Sequence, residues 1–216
     1  VEPSDSQECK EFMKEAYEIS ERFEIPVLFR MTTRVCHSKG LVTFNARTER
    51  PVEPYARNIS KFVCTPANAR RNRPVLEEKL KALEVYANES PLYVMDVKSP
   101  DVGVISASIA YQYAKEAFPK DTSFLKLGFT WPLPMDLIRD FASRVKKLYV
   151  VEELDPFMEE QIKAAGIDCI GKDVIPRMFE LNPEIVRRAV FGIEPETTAV
   201  DCDVVPRPPA LCPGCP

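Results

Sequence analysis

A chain of 216 residues with 45% hydrophobic and 29% charged side chains can bury one substantial core, or one core and part of a second domain. Its net charge is -4, and Lys and Arg gather without nearby acids only in the short stretch "NARRNR", Asn68 to Arg73, read as a solvated helix start; a nucleic-acid backbone or an anionic membrane is therefore excluded as the natural partner. No run approaches the roughly 20 apolar residues of a membrane helix, and seven scattered cysteines do not form a secreted disulfide framework, so a cytoplasmic protein with reduced thiols is expected.

Asp5 and Glu8 form a capping box, and Cys9, Phe12, Met13, Ala16, Ile19 and Phe23 then recur on one helical face, which predicts a helix from about Gln7 to Arg22. "IPVLFRMTT" follows as a buried strand, so the first 45 residues read as one αβ unit of a parallel sheet whose remaining strands lie elsewhere. Such a unit must dock on the rest of the chain or stay partly exposed. Pro51, Pro54, Pro66 and Pro74 punctuate an irregular crossing, and Pro74 opens a helix to about residue 88, with Leu76, Leu80 and Leu83 inward, backed by Val85 and Tyr86.

From there the periodicity is regular. "VGVISAS" is a strand, "IAYQYAKEAF" a helix, "SFLKLGF" a strand, and Pro134 opens a helix that buries Leu137, Ile138, Phe141 and Val145. "KLYVVEE" is a strand, Asp155 and Pro156 cap the next helix, "IDCIG" is the last strand, and "NPEIVRRAVFGI" a closing helix. Strands alternating with helices predict an α/β fold, a mostly parallel sheet flanked by helices. The tail from Glu194 is polar and Pro-rich, and together with the start at Val1 it suggests a segment of a longer protein.

Few residues carry chemistry. No glycine-rich phosphate loop follows the first strand, which argues against an autonomous nucleotide-dependent enzyme. His37 is the single histidine, in "TTRVCHSKG" with Arg34 and Cys36; it excludes any multi-histidine metal site, and the stretch reads as a polar turn or part of a pocket. Glu152 and Glu153 end a strand and face opposite sides, so they are not a cooperating acid/base pair; one caps or braces a neighbouring loop. Cys212 and Cys215 have the spacing of two thiolates on one metal, which leaves open a small metal- or redox-binding module.

The phrases "EPSDSQECKEFMKEAYEISERFEIPVLFRMTTRVCHSKG", "GVISASIAYQYAKEA", "TWPLPMDLIRDFASRVKKLYVVEELDPFMEEQIKA" and "RPPALCPGCP" together resemble the middle of the alpha subunit of indolepyruvate:ferredoxin oxidoreductase, of the thiamine-diphosphate-dependent 2-oxoacid:ferredoxin oxidoreductase family. The resemblance implies that residues 1–45 end a thiamine pyrimidine-binding domain, 46–90 are a linker with a long helix, 91–193 form a transketolase C-terminal-like domain, and 194–216 lead into a diphosphate-binding domain. It implies an intact enzyme that decarboxylates aryl-2-oxoacids, above all indolepyruvate, and passes electrons to ferredoxin and the acyl group to coenzyme A. It further implies a beta subunit, with thiamine diphosphate, Mg and [4Fe-4S] clusters as cofactors. In related enzymes a Cys-Pro-Gly-Cys pair helps to hold a cluster, so Cys212 and Cys215 are the candidate ligands of the intact enzyme. The activating glutamate, the Mg-diphosphate site and the other cluster cysteines are expected outside this chain, which by itself is expected to be an inactive assembly domain without cofactor.

Overall fold

The computed structural model describes residues 1–196 other than 48, 50 and 53. Its first helix, α1 (Ser6–Phe23), starts where extended Asp5 accepts a hydrogen bond from the Glu8 amide at 2.9 Å. The capping box is displaced by one residue, because the Glu8 carboxylate accepts from the amide and hydroxyl of Ser4, at 2.9 and 2.8 Å, rather than from Asp5. Phe12, Ala16, Ile19 and Phe23 are buried as their spacing requires. Met13 is exposed, turned about 100° from Phe12 around the helix.

The stretch expected as a buried strand is extended but joins no sheet. From Ile25 to Met31 it lies along the α1 side of the molecule, with Val1 beside it, and the short helix α2 (Thr33–His37) follows. Strand-type residues are present there, but no described strand reaches them. After an irregular crossing and a single turn, α3 (Ile59–Phe62), the long helix α4 (Pro66–Glu89) begins well ahead of Pro74. Thr65 caps it and Pro66 takes the first-turn place expected of Pro74, which instead sits inside the helix and costs it one backbone bond. Leu83 and Ala87 are buried, whereas Val85 is exposed because it lies on the opposite side from Leu83.

The core is a four-stranded sheet in the order β1 (Tyr93–Asp96), β3 (Ser123–Leu127), β2 (Val102–Ala107), β4 (Lys147–Val151). Strand β2 is parallel to both of its neighbours, and β1 runs antiparallel on the edge. The short β1 gave no periodic signal. Helices α5 (Ser108–Ala117) and α8 (Pro183–Phe191) cover one face, where Val104, Phe124, Tyr149 and Val151 meet Ala110, Ala114 and Val186. Helices α6 (Met135–Ser143) and α7 (Phe157–Ala164) cover the other, where Ile105, Leu125 and Val150 meet Ile138, Phe141, Met158 and Ile162. Successive strand residues thus serve opposite layers, and an α/β sheet covered on both sides results.

"IDCIG" does not continue as a strand. It contributes one parallel bridge, Ile170 beside Tyr149, before the chain turns at Gly171. The Glu159 carboxylate lies where a Cβ on Gly171 would stand, 2.3 Å from it, so the turn is fitted to a side chain rather than to a ladder. No helix among the described residues is long and apolar enough to cross a membrane.

Candidate functional site

Because β2, β3 and β4 are parallel, their C-terminal ends share one edge of the sheet, the edge where open α/β folds place their ligands. A cleft of about 810 Å³ lies there, with Ala107 and Ser108 from β2 and α5, Phe129 to Trp131 after β3, and Glu152 to Asp155 after β4 on one wall. The opposite wall is Val1, the extended stretch from Ile25 to Leu28, and Leu76, Leu80 and Leu83 of α4. The cleft is therefore the seam between the N-terminal unit and the sheet.

That seam is closed by specific bonds. The Glu2 amide donates to the Gly128 carbonyl at 2.8 Å, Ser108 Oγ to the Pro3 carbonyl at 3.2 Å, and Gln112 Nε2 to Ser4 Oγ at 3.2 Å. Gly128 permits the approach: a Cβ there would stand 2.4 Å from the Phe12 ring and 2.5 Å from the Leu92 carbonyl oxygen. Ser108 adopts a positive φ of 52° at the sharp strand-to-helix turn and is buried. Lys126 of β3, also buried, pairs with Glu8 and faces the Tyr111 ring at 5.2 Å. Burial pushes its ammonium down to about 8 against the pull of the Asp5 carboxylate. These contacts answer the docking question left by the sequence for its first part: the segment before α1, and α1 through Glu8 and Phe12, are packed on the sheet. Lys126 drew no notice there because a lone lysine in an apolar strand resembles an ordinary edge residue.

Glu152 and Glu153 face different partners, as the strand pleat requires. Buried Glu152 accepts from the amides of Met158 and Glu159 at 2.9 and 3.0 Å and so caps α7, whose first residue is Phe157. This corrects the expectation for Asp155, which instead pairs with Arg177 at 2.6 Å; a carboxylate at the strand end already fills the space before the first turn. Burial pushes the Glu152 carboxyl up, opposed by those two amides and by Lys172. Glu153 braces a loop by accepting from the Leu181 amide at 3.1 Å.

Arg34 reaches from α2 to Glu180 with bonds of 2.5 and 2.8 Å, a two-pronged clamp on the outer side of the same seam. Cys36 and His37 are exposed and do not line the cleft. Cys9 lies 3.6 Å from the Met31 sulfur, and burial pushes its thiol up. Cys212 and Cys215 lie outside the described residues, among which no group of three or more His, Cys, Asp or Glu could hold a metal ion.

The cleft does not fit a thiamine diphosphate. Of the carboxylates on its wall, Glu152 and Glu153 accept backbone amides and Asp155 pairs with Arg177 at the surface, and among the described residues there is no cluster for Mg. At the two helix starts on this edge, α7 is capped by Glu152 and Pro3 is bonded across the start of α5. What the arrangement can do is hold two structural units in one orientation.

No protein-family model matches the chain. It is similar along its whole length to the indolepyruvate oxidoreductase subunit IorA of Methanothermobacter thermautotrophicus, 40% identical over 234 residues. The same subunit is 36% identical over 236 residues in Archaeoglobus fulgidus and 34% over 248 in Thermococcus kodakarensis. In each case the match takes in all of this chain and 38% of the relative's length. A solved 2-oxoglutarate:ferredoxin oxidoreductase from Magnetococcus marinus is similar over 59% of this chain and 23% of its own, at 18% identity and a TM-score of 0.42.

Proposed function

We propose, from the premise that this chain is homologous along its full length to IorA subunits of indolepyruvate oxidoreductases, that it is the structural joint of an enzyme oxidising aryl-2-oxoacids. The intact protein would oxidatively decarboxylate indolepyruvate, reduce ferredoxin and form the acyl-coenzyme A, working with a beta subunit. Thiamine diphosphate with Mg would supply the carbanion chemistry and iron-sulfur clusters the electron path, with Cys212 and Cys215 as two of the cluster ligands. Residues 1–45 would belong to the pyrimidine-binding domain, 46–90 to the linker with its helix, 91–193 to a transketolase C-terminal-like domain, and 194–216 to the entry of the diphosphate-binding domain.

The observation that carries this reading is the match of the whole chain to proteins of one name, at up to 40% identity. The seam supports the role of a joint: Glu8, Arg34, Ser108 and Lys126 all act across it, and each is committed to a protein partner. In the assembled enzyme these residues orient the N-terminal unit and exclude water from its base; they move no proton. The intact subunit, assembled with its beta subunit and supplied with indolepyruvate and coenzyme A, should reduce ferredoxin in a substrate-dependent way. Absence of that reduction with every aryl-2-oxoacid tried would remove the reading, and stoichiometric metal on the 216-residue chain alone would favour the small Cys212 and Cys215 module instead.

A further inference from the structure

The long helix α4 carries a second ordered face, opposite its buried side. Leu83 and Ala87 turn inward, and on the far side of the helix Ala67, Arg71, Pro74, Glu78, Ala82 and Val85 follow one another at intervals of three and four residues, with Val75 beside Pro74. All of them are exposed, Val75 by 46% and Val85 by 63%. A surface helix ordinarily turns charged and polar residues outward. Here the outward face is small and apolar, with Arg71 and Glu78 as its charges and Lys81 at its margin. Among the described residues Glu78 makes no hydrogen bond or ion pair, and Arg71 makes one bond, to Asn68 of its own helix at 2.5 Å.

The order of these residues selects what can cover them. One positive and one negative side chain on an apolar strip suit neither a uniformly acidic nor a uniformly basic partner. A copy of α4 running antiparallel, related by a two-fold axis that passes between Pro74 and Val75, matches the strip position by position. Arg71 then falls opposite Glu78 of the other copy, Glu78 opposite its Arg71, and Ala67 opposite its Ala82, so each charge is met and the small residues let the two backbones approach. A parallel pairing would set arginine against arginine and glutamate against glutamate. The apolar cluster on which α4 packs through Leu83 and Ala87 lies behind the helix, so the two cores stand on the outside of the pair. We propose that the outward face of α4, from Ala67 to Ala82, is a self-complementary docking surface for α4 of a second copy of this chain, closed by two ion pairs between Arg71 and Glu78. Leu76 and Leu80 line the cleft from the other side of the helix, so this surface is separate from the seam and independent of the reaction proposed for the longer subunit.

Sedimentation equilibrium of the 216-residue chain over a range of concentrations tests it, together with the variants Arg71→Glu and Glu78→Arg. The unaltered chain dimerises reversibly. Either variant alone sets like charges opposite each other at both contacts, and its self-association weakens by on the order of 100-fold or more. An equimolar mixture of the two variants restores opposite charges at both contacts and regains the dimer, which neither a misfolded variant nor a contact elsewhere on the surface would do. A chain that stays monomeric at every concentration overturns the proposal and leaves the face to another part of the longer protein. Self-association that either variant leaves unchanged overturns it too, as does a mixture that associates no better than its components. The readout is mass rather than turnover, so its failure leaves the proposed activity untouched.

Discussion

Lys126 and Glu8 concentrate the energetics of the seam in two side chains. Lys126 is 5% exposed on β3, and without Glu8 its ammonium would face the Phe12 and Tyr111 rings with no carboxylate in contact. Removing one partner of a buried pair strands the other, at about 3–5 kcal/mol, whereas an apolar replacement of similar volume is often neutral. The two halves are not equivalent, because Glu8 still holds the Ser4 amide and hydroxyl when the lysine is gone. Glu8→Ala should therefore lower the denaturant midpoint strongly and Lys126→Met little, in urea unfolding of this chain; equal losses would show that the pair is not buried as described. Neither residue could be ranked from the sequence. Glu8 was legible as a helix-start carboxylate, since Asp5 and the apolar spacing after it mark that start, but its partner lies 118 positions away on a strand whose neighbours only the fold supplies.

At the scale of elements, charge ties α3, which buries no residue, and α4 to the end of α1. Glu24, in the left-handed position that ends α1, binds both Lys61 of α3 and Lys79 of α4. The Lys61 bond, then the Lys79 bond, hold its carboxyl down to about 2 from an ordinary 4.5. A carboxyl lowered on folding contributes stability that is complete above pH 4.5 and is lost as the pH falls towards 2. Amide exchange in α3 and the first half of α4 should thus quicken over that interval, and Glu24→Gln should exchange at its low-pH rate throughout; identical pH profiles for the two proteins would contradict the tie. The regular βα alternation was legible because each element of the core is amphipathic at its own period. The start of α4 and the capping group of α7 were not: Thr65 with Pro66 opens α4 ahead of Pro74, and Glu152 from the preceding strand end takes the amides expected to bond Asp155.

The described residues form a covered sheet with an N-terminal unit fastened to the ends of its strands, and Glu8, Arg34, Ser108 and Lys126 are each bonded to a partner across that seam. A reading of fold class came from periodicity alone, and the family came from long ordered phrases. The cleft came from neither, since its walls are brought together by parallel strand ends and by residues as far apart in the chain as Val1 and Asp155. Cys212 and Cys215, the metal-type pair most visible in the sequence, lie outside the described residues. The central claim is that this chain is a joint and that cofactor chemistry belongs to the assembled subunit. Calorimetric titration of thiamine diphosphate with Mg into the intact subunit and into the 216-residue chain tests it most directly. Saturable binding to the intact subunit and none to the chain is the predicted result; saturable binding to the chain alone would contradict it.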